Sequence, residues 1–168
     1  YDVVITTGGT SVGKKDYVVK AISNLGEIHF QGVLVRPGKP VTMASVGSSI
    51  VFAVPGKPIG AYTVSILFLR PFFVGLERFP TIDAELSRSL KVSREGFEYI
   101  VPVVFEREGE GVIPLGHVDS PLQIFDEVFN SSVLSSSTRA VQADGFFIMV
   151  NDVEKGSIVK VVPYTAIK

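Results

Sequence analysis

Four stretches of this 168-residue chain hold residue types that could meet an anion. The first is Thr7-Gly8-Gly9-Thr10-Ser11-Val12-Gly13, with Asp16 shortly after. Glycines let a backbone turn through positive φ and let a ligand approach its amides. Amides at the start of a following helix favour a negative guest. Thr7, Thr10 and Ser11 add hydroxyls. A phosphate or another oxyanion is the natural guest, although the same residues also suit a plain tight turn. The pattern is neither GxGxxG nor a P-loop, since no GK[ST] follows. Asp16 reads either as a helix N-cap, stabilising by roughly 1 kcal/mol, or as a carboxylate holding Mg2+ against phosphate oxygens.

The second stretch is Arg36-Pro37-Gly38-Lys39-Pro40, two cations on a proline-stiffened turn. Arginine suits bidentate contact with an oxyanion and lysine a point charge; two solvated surface cations are the plainer reading. The third, Pro55-Gly56-Lys57-Pro58, follows an apolar run and would turn into a helix at the same sheet edge as the first. The fourth lies further on, where Arg94 precedes Gly96-Phe97 and Arg139 follows the serines 135–137. His29 and His117 have no carboxylate or second histidine at ligand spacing and read as structural. No Ser/His/Asp order suggests a nucleophilic triad.

The elements that must hold these loops follow from the apolar pattern. Val3 to Thr6 reads as a buried strand ending in the glycines. A helix follows from Asp16 through Ile22 and stops at Gly26 as its C′ residue. Ile28 to Val35, Val41 to Ala44 and Ile50 to Val54 read as strands, and Ile59 to Val74 as an apolar helix whose last turn Pro71 breaks. Alternating strands and helices define an α/β layer. From about Phe79 the pattern changes to short strands at Leu86 to Val92, Glu98 to Glu106, Gly111 to Pro114, Gly145 to Val150 and Ser157 to Val162. Turn residues separate them, with one possible helical turn between Asn130 and Ala143. This predicts a small all-β domain, barrel or sandwich. The domains expected are therefore 1–78, α/β, and 79–168, all-β, hinged near Leu76 to Thr81.

Composition narrows the classes of function. Hydrophobic residues make up 46% and charged residues 20%, a globular balance. The formal charge of −1 argues against a general nucleic-acid binder. The absence of cysteine excludes disulfides, thiolate metal sites and a cysteine nucleophile. No apolar run reaches the roughly 20 residues of a membrane span. A cytoplasmic protein is expected. A chain that opens at Tyr1 directly on a core strand suggests that other segments precede it.

Taken together, these motifs resemble a family. Thr7 to Gly13 with Asp16-Tyr17 is similar to the (S/T)GG(V/T)S(V/M)G…DY signature of MoeA and the gephyrin E domain. Arg36 to Pro40 resembles their KPGKP turn, and Pro55 to Pro58 their PGNP turn. Ala143-Asp144-Gly145 with the apolar run after it is similar to a strand of their last domain. The resemblance covers essentially the whole chain. It implies a fold of class α/β: part of a MogA-like molybdopterin-binding domain, a layered sheet, followed by a small all-β, barrel-like domain.

The resemblance also implies an activity: Mg2+-dependent insertion of molybdate into molybdopterin-AMP, with release of AMP. On it, Gly8, Gly9, Thr10, Ser11 and Gly13 would face the pterin nucleotide, and Pro55, Gly56, Lys57 and Pro58 would shape its pocket. Asp16 would be the catalytic, Mg2+-linked carboxylate. Arg36, Lys39, Pro40, Arg94 and Ser136 would bind molybdate. The partners implied are small molecules, a second copy in a homodimer, and a MogA-type adenylyltransferase, with no nucleic acid and no membrane. The isolated chain would be poorly active. Three positions depart from the family: Arg36 for lysine, Lys57 for asparagine, and Gly60 where a serine is frequent. They could alter oxyanion choice, for instance toward tungstate. Two other readings stay open: a MogA-type or CinA-like pterin adenylyltransferase, and a non-catalytic dimeric scaffold of the gephyrin E type.

Overall fold

Two adjacent runs of β-branched and apolar residues lay down the centre of the first sheet. Val3–Thr7 forms β1 and Ser49–Val54 forms β5, paired in parallel from Val3 opposite Ile50 to Thr7 opposite Val54. In the computed structural model, described over residues 1–10, 17–106, 111–117, 123–134 and 142–164, the chain folds as two compact units, Tyr1–Val74 and Gly75–Lys168. Ser11, Gly13, Asp16, Ser136 and Arg139 lie outside the described residues.

In the first unit, α1 (Tyr17–Leu25) leads to β2 (Glu27–Gln31), the two-residue β3 (Val35–Arg36) and β4 (Thr42–Val46). A turn at Gly47-Ser48, with Gly47 at φ 59°, then leads into β5. The sheet order is β1-β5-β4-β2; β4 runs antiparallel to both neighbours. Even-numbered and odd-numbered residues of β5 face opposite ways. Val51 and Ala53 pack with Ala44 against Ile22 of α1, while Phe52 and Val54 pack with Val64 and Leu69. Both faces are therefore covered by helix, as an α/β layer requires. Gly26 ends α1 by close approach and not by a left-handed φ: a Cβ there would run into the Ser45 carbonyl.

Two expectations change here. The run from Ile28 to Val35 is broken at Gly32, whose φ of 79° and bond to the Val41 carbonyl turn the chain out of β2. Pro71 does not break the long helix. α2 (Pro58–Val64) passes through a π-helical turn, Ser65–Leu69, into α3 (Arg70–Val74), with Pro71 in the first turn of α3. A widened turn just upstream accommodates a ring that would clash in a regular helix.

The second unit is built from β6 (Ile82–Leu86), β7 (Glu98–Phe105), β8 (Gly111–Pro114), the one-turn α4 (Ser131–Leu134), β9 (Gly145–Met149) and β10 (Ile158–Pro163). The ring β7-β8-β6-β10-β9 closes because β9 also pairs with β7. This is a five-stranded barrel. Its interior holds Leu86, Tyr99, Val101, Val103, Phe147 and Val161, all nearly inaccessible. The strand expected at Leu86 to Val92 lies earlier. Ala84 and Leu86 are the buried alternates, Asp83 and Glu85 face solvent, and residues 87–89 turn away to an isolated bridge between Leu90 and Val153.

Candidate oxyanion site

Sheet register brings three of the sequence motifs to one edge of the first unit. β1 and β5 are parallel and end on the same rung, so Gly8 and Pro55 leave the sheet side by side. The Gly8 amide donates to the Val54 carbonyl at 3.0 Å. A Cβ on Gly56 would stand 3.1 Å from the Cα of Gly8, so the two loops touch backbone to backbone. Thr42 at the start of β4 pairs with Ala53, which puts the Arg36–Pro40 turn at that same edge. The turn is folded back by bonds from Gly32 to the Val41 carbonyl (2.7 Å) and from Val33 to the Lys39 carbonyl (2.9 Å). Its buried Gly38 packs beside Thr63 and Val64, and a Cβ on Gly60 would lie 3.1 Å from Pro55 and 3.8 Å from the Gly38 nitrogen.

The glycines have the backbone freedom the sequence suggested. Gly8, Gly9 and Gly38 have φ of 82°, 66° and 124°, a region that side chains disfavour. The Arg36–Pro37 bond is cis. The threonines behave differently. Thr7 donates its hydroxyl to the Pro55 carbonyl and Thr10 to the Val54 carbonyl, both at 3.4 Å. These hydroxyl protons tie the first loop to the second, and Thr10 is buried. A guest at this edge would therefore meet backbone amides before hydroxyl donors. Lys57 caps α2 with an extended backbone and no side-chain bond, which leaves the first amides of the helix without a side-chain partner.

Charge is sorted along the sheet. Lys39 and Lys57 are exposed, and Arg36 and Pro40 half-buried, at the loop edge. The acidic residues among those described in this unit are Asp2 and Glu27, and both stand at the opposite edge, beside Ile50 and Ser45. Arg94 lies in the second unit, exposed, its guanidinium 5.8 Å over the Phe97 ring. Among the described residues no group of three or more His, Cys, Asp or Glu is gathered as metal ligands would be.

One feature escaped the sequence. Thr6 and Thr42 flank Ala53 on a single rung and face α1, and among the described residues neither buried hydroxyl has a hydrogen-bond partner. A threonine in a strand carries no signal of this, because β-branched residues are ordinary there. His29 sits exposed at a bulge in β2, and His117 is buried, 3.9 Å from Asp126.

An open sheet covered by helices, with glycine turns and cations on one edge, defines an α/β domain whose loops converge at the strand ends. Residues 1–74 match the family model described as "Probable molybdopterin binding domain". The chain is 28% identical over 163 residues to a molybdopterin biosynthesis protein of Methanocaldococcus jannaschii, spanning 95% of this chain and 36% of that protein. It is 40% identical over 81 residues to the molybdenum cofactor synthesis protein cinnamon of Drosophila melanogaster, which is 46% of this chain and 14% of the relative. A molybdopterin molybdenumtransferase of Haemophilus influenzae is 29% identical over 111 residues, 59% of this chain and 28% of its own. The solved MoeA protein of Pyrococcus horikoshii superposes with a TM-score of 0.69 at 25% identity, covering 97% of this chain and 37% of its own. The chain is thus similar to MoeA-type molybdenum cofactor biosynthesis proteins, and its two units have the α/β layer and the closed barrel of that architecture. The chain spans a little over a third of the length of the Methanocaldococcus relative. No helix is long and apolar enough to cross a membrane among the described residues.

Proposed function

We propose that this protein acts in molybdenum cofactor biosynthesis, inserting molybdate into molybdopterin-AMP with release of AMP. The observation that carries the reading is the meeting of the Gly8, Gly38 and Gly56 loops at one sheet edge that bears cations and, among the described residues, no carboxylate. The Gly9 amide and those at the start of α2 would hold the nucleotide's phosphates, in the manner of anions at helix and loop amides, with Gly8, whose amide is engaged by Val54, letting the backbone turn beneath them. Pro55 and Pro58 would shape the pocket wall, and Arg36, Lys39 and Lys57 would draw molybdate. The activities for which the relatives are named support the same chemistry. Asp16 is proposed, on the resemblance, as the Mg2+-linked carboxylate. A cytoplasmic homodimer working beside a MogA-type adenylyltransferase is part of the same proposal.

Calorimetric titration with molybdate and with ADP tests it. Lys39→Ala and Lys57→Ala should each weaken oxyanion binding about tenfold, the scale of a charge-assisted contact. In the intact polypeptide, Asp16→Asn should fold normally yet release no AMP from molybdopterin-AMP on addition of molybdate. Unchanged turnover by that variant rules out its role, and formation of the adenylylate in place of its consumption would reassign the reaction.

A further inference from the structure

We draw no further inference here: the strongest candidate, the apolar groove of the second unit lined by Phe79, Ile148, Ile158 and Val162 where β9 and β10 part, carries nothing because nothing in the structure shows what covers it.

Discussion

The two units differ in charge and in closure. Tyr1–Val74 holds seven Lys and Arg against three Asp and Glu, while Gly75–Lys168 holds nine against fourteen. The chain's formal charge of −1 averages a basic half and an acidic half, so neither is visible in the total. The first unit is an open sheet whose edge strands are β1 and β2. Val4 and Ile5 of β1, on opposite faces, are 38% and 48% exposed. The second unit has no edge in its barrel, since every strand has two neighbours. Open sheets leave loops free to converge at one end, which is where anion chemistry is placed in α/β folds. Closure removes the unpaired edges and puts the burial inside the ring.

That contrast can be broken most directly by deleting apolar groups in each unit. Phe129 is fully buried, edge-on to Tyr99 at 5.9 Å and to Phe125 at 5.4 Å. Phe129→Ala should cost about 3–5 kcal/mol. Ile5→Ala, at the half-exposed edge, should cost below about 1 kcal/mol. Urea unfolding read from amide resonances of β7 and of β5 would report each unit separately. If Ile5→Ala proves as costly as Phe129→Ala, the β1 edge is covered in solution and the description of an open sheet fails.

A second pair of substitutions sharpens the comparison within the basic unit. Gly56→Ala would push a Cβ to 3.1 Å from the Gly8 backbone, which must shift to admit it. Overpacking of this kind should cost about 1–3 kcal/mol and weaken oxyanion binding by moving both loops. Gly47→Ala meets nothing within 4 Å and bears only the penalty of its φ of 59°, about 1 kcal/mol. It should leave binding intact. Thermal melts with molybdate titration distinguish the two, and equal loss of binding in both variants would show that the loops do not act through their contact.

Legibility in the sequence followed the range of the forces involved. The strands β1, β4, β5, β7, β8, β9 and β10 were readable because β-branched runs and turn residues are local signals. The glycine turns were readable because positive φ demands glycine. Their meeting could be inferred only from the rule for parallel strand ends, and it is register that brings Gly56 against Gly8. The sequence placed a strand at Leu86 to Val92 because Leu86, Leu90 and Val92 look apolar. The deciding facts were non-local: Ala84 and Leu86 fill the barrel, and Asp83 meets Lys160 across 77 residues. The engagement of Thr7 and Thr10 with carbonyls of the second loop was likewise invisible, since a hydroxyl's partner is chosen by the fold. Asp16, read from its place after the glycines, and Ser136, supplied by the resemblance, both lie outside the described residues.

The smallest effect separates the units by the cause of an alkaline weakness each possesses. Tyr62 of α2 has its pKa raised by burial, and Lys91 of the second unit has its pKa raised by the hydrogen bond and charge of Glu127, 2.6 Å away. In both, the folded state holds a proton more tightly than the unfolded chain. Each contribution is therefore complete below the ordinary value of its group, about 10 for both, and is lost as pH rises through the raised value. The causes respond differently to salt. Salt does not screen burial, whereas it does screen an exposed ion pair. Raising ionic strength should thus lower the Lys91 titration midpoint and leave that of Tyr62 in place. Glu127→Ala should lower the Lys91 midpoint, and Tyr62→Phe should reduce the alkaline loss in the first unit only. Carbon-detected NMR titration of the two side chains measures this. A Tyr62 midpoint that moves with salt as Lys91's does would mean that a charge, and not burial, governs it, and the distinction between the two units at high pH would collapse.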